Sequence, residues 1–442
     1  MGVRHRITIK ACILLLCFFG CLLLNAQELI PVGLGWARNS INTVVFRKHS
    51  LASFKDTQFI AFYNADSYVV IAKRSLQSNQ WQLKQTPYKG KTTDAHNSIS
   101  IAVDGDGYLH MAWDHHGSKL RYCKSTLPGG LELTEGLPMM SDLERNVSYP
   151  EFYNLPNGDL LFFYRDGSSG SGNMVINRYD TKSKTWTRLH RNLIDGEKIR
   201  NAYWQAYVDA KGTVHLSWVW RESPNVASNH DLCYAKSEDG GITWKKSTGE
   251  QYSLPITAAN AEYACKIPQG SELINQTSMT ADEKGRPYIA SYWRDSGSAV
   301  PQYQLLYNTG KTWKKQNAGF RKTPFSLSGA GTKRIPISRP QVIVWNENGN
   351  IATGIIFRDE ERGNKISVAV NSNIEKRSWS LLDLTNENLG SWEPTFDIDL
   401  WKRKGELHLF VQKTEQADGE GISTLQPQTI SVLQWKPKKR KK

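Results

Sequence analysis

Residues 203–222 read YWQAYVDAKGTVHLSWVWRE, two strand-like runs around the turn Asp209-Ala210-Lys211-Gly212, ending on Trp220-Arg221-Glu222. In both runs, aromatic and aliphatic residues alternate with small or polar ones, as in a β-hairpin. Three more hairpins end on an aromatic residue, an arginine and an acid: Tyr164-Arg165-Asp166, Trp293-Arg294-Asp295 and Phe357-Arg358-Asp359. A unit repeated at roughly 50–70 residues is typical of a β-propeller, in which each blade buries its faces against its neighbours.

Seven such units can be placed along the chain when weaker turns, such as Asp104-Gly105-Asp106-Gly107, are included. The units cover residues 51–88, 97–133, 149–193, 203–247, 277–318, 339–384 and 393–435. No sustained helical period interrupts them. We therefore predict an all-β fold, a seven-bladed β-propeller of four-stranded antiparallel blades. An N-terminal strand, placed at residues 42–46, is predicted to close the ring against the last blade and so to protect its edges.

The fourth unit contains the turn Ser237-Glu238-Asp239-Gly240-Gly241-Ile242-Thr243-Trp244, which resembles the Asp-box (BNR) turn of sialidase-like propellers. The run Asn308-Thr309-Gly310-Lys311-Thr312-Trp313 is a degraded copy in the next unit. Turns of this kind stabilise an outer hairpin. We expect both to be structural and not catalytic.

The two ends of the chain differ in composition from the body. Residues 1–26 combine a basic start with an apolar run that is short for a membrane span, which predicts a secretory signal peptide and a secreted, periplasmic protein. The predicted propeller occupies residues 27–435, and residues 436–442 form a basic tail. Three of the six cysteines fall within the signal, so at most one disulfide is expected. No later stretch resembles a membrane span.

The formal net charge is +14, but three positive charges fall in the signal and six in the tail. The body that remains is modestly positive, which suits an acidic substrate without indicating nucleic acid. We expect no nucleic-acid partner and a monomeric protein.

Hairpin spacing indicates where polar residues converge, because residues equidistant from a turn face each other across its two strands. His96 and His116 are equidistant from the turn near Asp106, and Tyr149 and Arg165 from the turn near Asn157. In the fourth unit, Arg221 lies near Tyr203. All six residues occupy hairpin ends away from the tight turns, so they are predicted to meet on one face around the central channel. Segments 248–276 and 319–338 are predicted to wall this cleft.

Other polar residues are assigned by the same spacing. Arg294 and Arg358 repeat the arginine–acid signature and are expected to tie neighbouring blades together. With His115, the two cleft histidines could hold a metal, but no ligand spacing enforces it, and we predict neither metal nor cofactor. His49 lies about 10 Å deeper along the channel than His96, towards the other mouth, because it is three strand residues closer to its turn.

Nearly the whole mature chain resembles the BNR-type seven-bladed propellers of bacterial glycan degradation. The most specific stretch is Asp94-Ala95-His96-Asn97-Ser98-Ile99 followed by Trp113-Asp114-His115-His116-Gly117. It resembles the propeller ulvan lyases of polysaccharide lyase families 24 and 25. The resemblance implies a lyase site of His96, His116, Tyr149 and Arg165, with Tyr203 as a further member.

The chain also resembles glycoside hydrolase family 145, α-L-rhamnosidases that remove rhamnose linked α-1,4 to glucuronic acid on arabinogalactan proteins. This resemblance implies that His49 is a single catalytic histidine on the opposite face, assisted by the carboxylate of the substrate. Ordinary glycosidases instead use an isolated pair of carboxylates, which the chain does not offer.

The leading prediction is therefore an exo-acting α-L-rhamnosidase on rhamnose–glucuronate caps, with an acidic oligo- or polysaccharide as its partner. Arg221 and Arg339 are predicted to bind this substrate. The alternative is an ulvan-lyase-like enzyme that cleaves beside a uronate by β-elimination, for which a base, a cationic group and an acid are needed. A sialidase and a non-catalytic glycan-binding propeller remain as further alternatives.

Overall fold

The computed structural model describes residues 27–47, 49–275 and 278–437. The predicted signal peptide and all but the first two residues of the basic tail lie outside these ranges. Seven antiparallel sheets surround a central axis, and in most of them the strands run in chain order from the axis outwards. The predicted all-β, seven-bladed propeller is confirmed.

The first three blades follow the predicted units closely. The chain opens with β1 (Leu29–Gly35). Blade one consists of β2 (Leu51–Phe54), β3 (Thr57–Tyr63), β4 (Tyr68–Ser75) and β5 (Gln82–Lys89). Blade two contains β6 (Ile99–Val103), β7 (Leu109–Trp113), β8 (His116–Ser118) and β9 (Tyr122–Lys124), of which β8 pairs with blade three. Blade three consists of β10 (Val147–Asn154), β11 (Leu160–Asp166), β12 (Asn173–Asp180) and β13 (Thr185–His190).

Blades four, six and seven each add a short helical segment, and blade five consists of strands. Blade four consists of β14 (Asn201–Val208), β15 (Val214–Arg221), β16 (Asn229–Ser237) and β17 (Glu262–Cys265), with a 3-10 turn at Val226–Ser228. Blade five consists of β18 (Ser278–Ala281), β19 (Pro287–Trp293), β20 (Gln302–Asn308) and β21 (Trp313–Asn317). Blade six consists of β22 (Gln341–Glu347), β23 (Asn350–Phe357), β24 (Ser367–Asn371) and β25 (Ser380–Asp383), with a 3-10 turn at Glu360–Arg362. Blade seven contains α1 (Ile398–Lys404), β26 (Leu407–Val411) and β27 (Gln428–Trp435).

An N-terminal strand closes the ring, but it is β1 and not residues 42–46. β1 pairs antiparallel with β27, from Leu29 opposite Leu433 to Gly35 opposite Gln428, and becomes the outer strand of blade seven. The sequence of β1 is less rich in β-branched residues than the sequence of residues 42–46. Its pairing is decided by a partner about 400 residues away, which local sequence does not reveal.

Residues 40–47, here called the hub segment, run through the centre of the propeller and are buried throughout. Val44, Val45 and Phe46 pack among inner-strand tyrosines, including Tyr149 and Tyr207. Buried hydrogen bonds hold the segment in place: Asn42 donates to the carbonyl oxygens of Trp36 and Tyr63, and Nη1 of Arg47 donates to that of Asn42. The hub segment therefore fills the channel between its two mouths.

The Asp-box turn of blade four is formed as predicted. The Asp239 carboxylate accepts hydrogen bonds from the Ile242 and Thr243 amides and from the Ser237 and Thr243 hydroxyls. The Trp244 ring is fully buried beneath it. The outer strand of blade four is β17, well beyond the predicted limit at residue 247, because the turn opens into a long connection before the chain pairs again.

The three described cysteines, Cys123, Cys233 and Cys265, are free thiols. Within the three described ranges, no helix has the length and apolar character needed to cross a membrane.

Candidate active site

Two imidazoles stand at the axial end of blade two. His96 lies in the turn before β6, and His116 begins β8; their rings stack with centroids 4.1 Å apart and an interplanar angle of 17°. Asp94 lies between them. One of its oxygens is 2.8 Å from Nδ1 of His96 and the other 2.7 Å from Nδ1 of His116. The predicted opposition of the two histidines is confirmed, and Asp94 is the shared anchor that spacing did not reveal.

This anchor determines which ring nitrogens are basic. Burial alone would raise the pKa of Asp94, but the hydrogen bonds from His116 and His96 hold it well below its ordinary value. An ionised carboxylate only accepts, so each Nδ1 must donate, which leaves the lone pair of each neutral ring on Nε2. Burial lowers the pKa of His96 and keeps the ring neutral at neutral pH, although Asp94 opposes this shift. In its neutral form, an imidazole held in this way presents Nε2 as a base.

Tyr149 lies beside His96, with ring centroids 6.0 Å apart. It occupies a β-bulge of β10, where the register shifts between Ser148 and Glu151, and its φ is +54°. Left-handed backbone at a tyrosine is strained, and bulges of this kind re-aim a side chain, often beside an active site. The bulge also corrects the hairpin arithmetic by one residue, because Arg165 pairs with Ser148 and not with Tyr149.

Arg165, on β11, is 2% exposed. Its guanidinium lies 4.9 Å from the ring centre of Tyr149 and 6.0 Å from that of Tyr203. Nη2 donates to the hydroxyl of Ser148, whereas Nε and Nη1 find no hydrogen-bond partner among the described residues. A buried cation with unpaired donors is costly, and such donors are normally satisfied by a water molecule or a ligand.

Tyr203 stands between two arginines. The guanidinium of Arg221 is 5.3 Å from its ring centre and itself donates to the backbone carbonyl oxygens of Ser223 and Pro224. Burial alone would raise the pKa of Tyr203, but Arg165 and Arg221 lower it to about 8. Burial raises the pKa of the neighbouring Tyr149 well above its ordinary value. Two adjacent phenols are thus driven towards opposite protonation states.

The predicted wall from segment 319–338 is present. Thr332 brings its hydroxyl within 3.4 Å of Nδ1 of His96, and Glu420 of blade seven brings a carboxylate oxygen within 3.5 Å of the same atom. The backbone of Gly331 passes so close to Gly419 that a Cβ there would lie 3.1 Å from the Cα of Gly419. Ser148, Thr332 and Glu420 are site residues that the sequence did not indicate, because each arrives from a neighbouring blade or loop.

The other predicted wall, segment 248–276, lies along blade four. It contains β17 and borders a cavity of about 350 Å³ lined by His230, Asp231 and Lys266. His230 is held between carboxylates of Glu222 and Asp231, and Asp231 accepts from Lys266. The charged groups of this cluster are paired with one another. The cluster is separate from the group formed by His96, His116, Tyr149, Arg165 and Tyr203.

His49 lies on the other side of the hub segment. It is 8% exposed and meets the Tyr153 ring edge-on at 5.1 Å, beside Tyr207 and Lys402. Tyr153 and Tyr207 are four residues along β10 and β14 from Tyr149 and Tyr203, about 13 Å towards the tight turns. The cavity there is about 10 Å³, room for one water molecule and not for a sugar ring.

The other predicted residues lie further back. Arg339 is 5% exposed and ion-paired to Glu393 behind Phe46, and its predicted contact with substrate stays a prediction. His115 is turned inward, accepts from the Arg121 amide, and has its pKa lowered to about 3, chiefly by burial. Arg294 and Arg358 bind backbone carbonyls, including Gly270 and Trp392.

A metal would have one set of donors in the part of the chain that the structure describes. Asp94, His96 and His116 offer ligand atoms within 4.8 Å of one another. The separations between Asp94 and the two Nδ1 atoms are those of hydrogen bonds. We therefore treat the three residues as a hydrogen-bonded carboxylate–imidazole group.

Comparison with known proteins identifies the family. A family model described as a BNR repeat-containing family member matches residues 57–320. The chain belongs to the BNR repeat-containing family. This match runs from β3 of blade one to the end of blade five and includes all of His96, His116, Tyr149, Arg165 and Tyr203.

The curated relatives of this BNR-repeat chain include several ulvan lyases. It is 26% identical over 294 residues to an ulvan lyase of Nonlabens ulvanivorans, covering 60% of this chain and 61% of that one. It is 25% identical over 293 residues to the long isoform of an ulvan lyase from Alteromonas sp, covering 52% of this chain. The chain spans only 29% of the length of that long isoform.

A solved structure of a family 25 polysaccharide lyase, an ulvan lyase bound to -[GlcA(1-4)Rha3S]-, superposes with a TM-score of 0.66 at 14% identity. It covers 91% of this chain and 95% of that one, and it supports the fold.

These relatives overturn the leading prediction. The sequence predicted a glycoside hydrolase, an α-L-rhamnosidase. This prediction is wrong, because the similar proteins are named lyases. The physical reason for the error is that the hydrolase assignment depended on His49, whose surroundings leave no room for a sugar, while the residues of the lyase alternative come together on the opposite face.

Proposed function

We propose that this protein is a polysaccharide lyase that cleaves an acidic polysaccharide beside a uronate by β-elimination. The observation that carries the proposal is the buried guanidinium of Arg165, whose Nε and Nη1 lack partners among the described residues. A carboxylate oxygen can accept a charge-assisted hydrogen bond from such a donor. The ulvan lyases similar to this chain support a polymer of glucuronate and rhamnose as the substrate class.

The first step is removal of the proton on C5, the carbon next to the uronate carboxylate. Arg165 binds the carboxylate and stabilises the charge that develops on its oxygens as the C–H bond breaks. We assign the base to Nε2 of His116, because the side chain of His116 is 34% exposed and that of His96 is 10% exposed. His96 and Asp94 hold the His116 ring in place.

The second step is departure of the sugar on C4. The electron pair of the broken C5–H bond forms the C4–C5 double bond, and the C4–O bond breaks. Tyr149 donates its proton to the departing oxygen, and its raised pKa means that it is protonated at neutral pH. No water is consumed, and the product carries an unsaturated uronate at its new non-reducing end.

The test follows two signals from one incubation. Ulvan and a desulfated glucuronate–rhamnose polymer are each incubated with the protein while the ultraviolet absorbance of unsaturated uronate and the number of new reducing ends are measured. Elimination makes both rise in equal proportion. New reducing ends or free rhamnose without absorbance would refute elimination, and binding of polymer without either signal would support a glycan-binding propeller instead.

Matched variants connect the signal to the site. His116→Ala and Arg165→Ala are expected to abolish the absorbance. His230→Ala, a histidine of the blade-four cluster, and Arg294→Ala, the same signature position in blade five, are expected to preserve it. Equal loss in all four variants would contradict the assignment of the site.

A further inference from the structure

Phe46, which precedes the first blade, forms one wall of the imidazole pair. Its ring is parallel to His96, with centroids 5.0 Å apart and an interplanar angle of 6°. His116 stacks on His96 at 4.1 Å. Two rings cannot stack on the same face of one imidazole, so Phe46 and His116 enclose His96 from opposite sides. Tyr149 meets Phe46 edge-on at 5.3 Å. Phe46 therefore contacts both the histidine pair and Tyr149, the proposed proton donor.

Phe46 is itself held from behind by an ion pair of two other blades. The guanidinium of Arg339 lies 4.6 Å from the ring centre of Phe46. Glu393 accepts from Nε and Nη2 of Arg339 at 2.8 and 2.7 Å, and both side chains are buried. Glu393 also accepts from the amide of Val45 at 2.8 Å. One carboxylate thus fixes the cation behind the ring and the backbone that carries the ring.

The arrangement restricts a motion that the hydrogen bond to Asp94 leaves open. The hydrogen bond at Nδ1 determines the tautomer of His96, but a small rotation of the ring about its Cβ–Cγ bond bends this hydrogen bond without breaking it. A flat ring against each face blocks this rotation. Because Asp94 and the stacking contact are shared, a turn of His96 would displace His116 as well.

We propose that Phe46 is a positioning residue, which holds the His96–His116 pair in the orientation needed for proton transfer, and that Arg339 and Glu393 clamp it there. This inference rests on the proposed lyase function and adds to it a residue from outside the repeated blades. It also accounts for the buried ion pair of Arg339 and Glu393, which lies beside the site although neither residue takes part in the proposed reaction steps.

The experiment compares Phe46→Leu with Phe410→Leu. Phe410 is a matched control, because it is also buried and also has a guanidinium, that of Arg47, 4.6 Å from its ring centre. Phe46→Leu is expected to lower kcat by about 10- to 100-fold with KM changed less than about twofold, since orientation and not binding is lost. Phe46→Tyr, which keeps the ring, is expected to restore most of kcat. Phe410→Leu is expected to leave both constants unchanged.

A second readout does not depend on activity. The imidazole signals of His96, assigned by comparison with His96→Gln, are followed by NMR as pH changes. The groups that face this ring are Asp94, His116, Tyr149, Thr332 and Glu420. All of them remain in Phe46→Leu, so a rise in the midpoint of the His96 titration in that variant alone reports the loss of the wall.

The outcomes separate this inference from the lyase proposal. A titration of His96 that matches wild type in folded Phe46→Leu would overturn the positioning role, whether or not the protein is a lyase. A shifted titration in a protein that releases no unsaturated uronate would retain the positioning role and refute the lyase. If Phe46→Leu does not fold, Phe46→Met is measured in the same way; failure of both to fold would assign Phe46 to the core and end the proposal.

Discussion

Replacing Arg165 with methionine should lower activity and raise stability together. The guanidinium has two buried nitrogens without partners among the described residues. Each such group costs about 1–3 kcal/mol of folding free energy, and methionine removes both costs. The substitution also removes a hydrogen bond to Ser148, worth about 1 kcal/mol, and cation–π contacts worth about 0.5–2 kcal/mol. With the middle of each range, the balance is a gain of about 2 kcal/mol in the free energy of unfolding.

The loss of activity is estimated from the transition state. Removing one preorganised donor from a developing oxyanion costs about 10²–10³ in rate, and the donors of Arg165 also carry a full charge. We therefore expect kcat/KM to fall by at least about 10³-fold. The assay is the ultraviolet absorbance of unsaturated uronate, with denaturant unfolding of the same preparation to obtain the free energy of unfolding.

Arg294→Met is the control for the stability change. Arg294 occupies the same signature position, but its guanidinium donates to the carbonyl oxygens of Ser298 and Gly270. Its replacement should lower the free energy of unfolding by about 1–2 kcal/mol and preserve activity. The reasoning would be refuted by an Arg165→Met protein that is less stable than wild type or that keeps its activity. Either result would mean that the unpaired donors of Arg165 are not reserved for the substrate carboxylate.

Three further predictions follow from the same geometry. As pH rises through about 8, kcat/KM should fall because the Tyr203 phenolate competes with substrate for Arg165, and Tyr203→Phe should remove that fall in a pH–rate profile. Asp94→Asn should lower kcat by about 10²-fold. Because the pKa of Asp94 is lowered by folding, its contribution to stability is present above about pH 4 and lost below it, so the variant should show a shallower loss of unfolding free energy in acid. Asp239→Ala should cost about 1–2 kcal/mol in denaturant unfolding, by the loss of its turn hydrogen bonds, with unchanged activity.

Wherever the interaction was local, sequence alone was sufficient for the fold. Alternation within each hairpin and the turns at its centre identified seven units, because both properties depend on residues close together in the chain. The Asp-box hydrogen bonds are local in the same sense: Asp239 reaches Thr243 four residues away. The opposition of His96 and His116 was also predicted, since both flank a single hairpin.

The sequence was insufficient to predict strand register where a single extra residue shifts the pairing. The bulge at Tyr149 moves Arg165 opposite Ser148, and no local pattern marks it. The hub segment and β1 exchanged roles for a related reason: both are short apolar stretches, and which of them pairs with β27 depends on contacts with the far end of the chain. His49 was expected on an inner strand but precedes β2, and only its neighbours show how little space surrounds it.

The sequence by itself therefore determined the repeated blade, the number of blades and the residue types that line the axis, since short-range periodicity encodes all three. Tertiary structure alone decided which arginine keeps two nitrogens without partners among the described residues, which tyrosine loses its proton more readily, and that Phe46 lies against His96. These properties depend on burial and on charges brought together from separate blades. The spacing of residues along one strand predicts neither the burial nor the neighbouring charges.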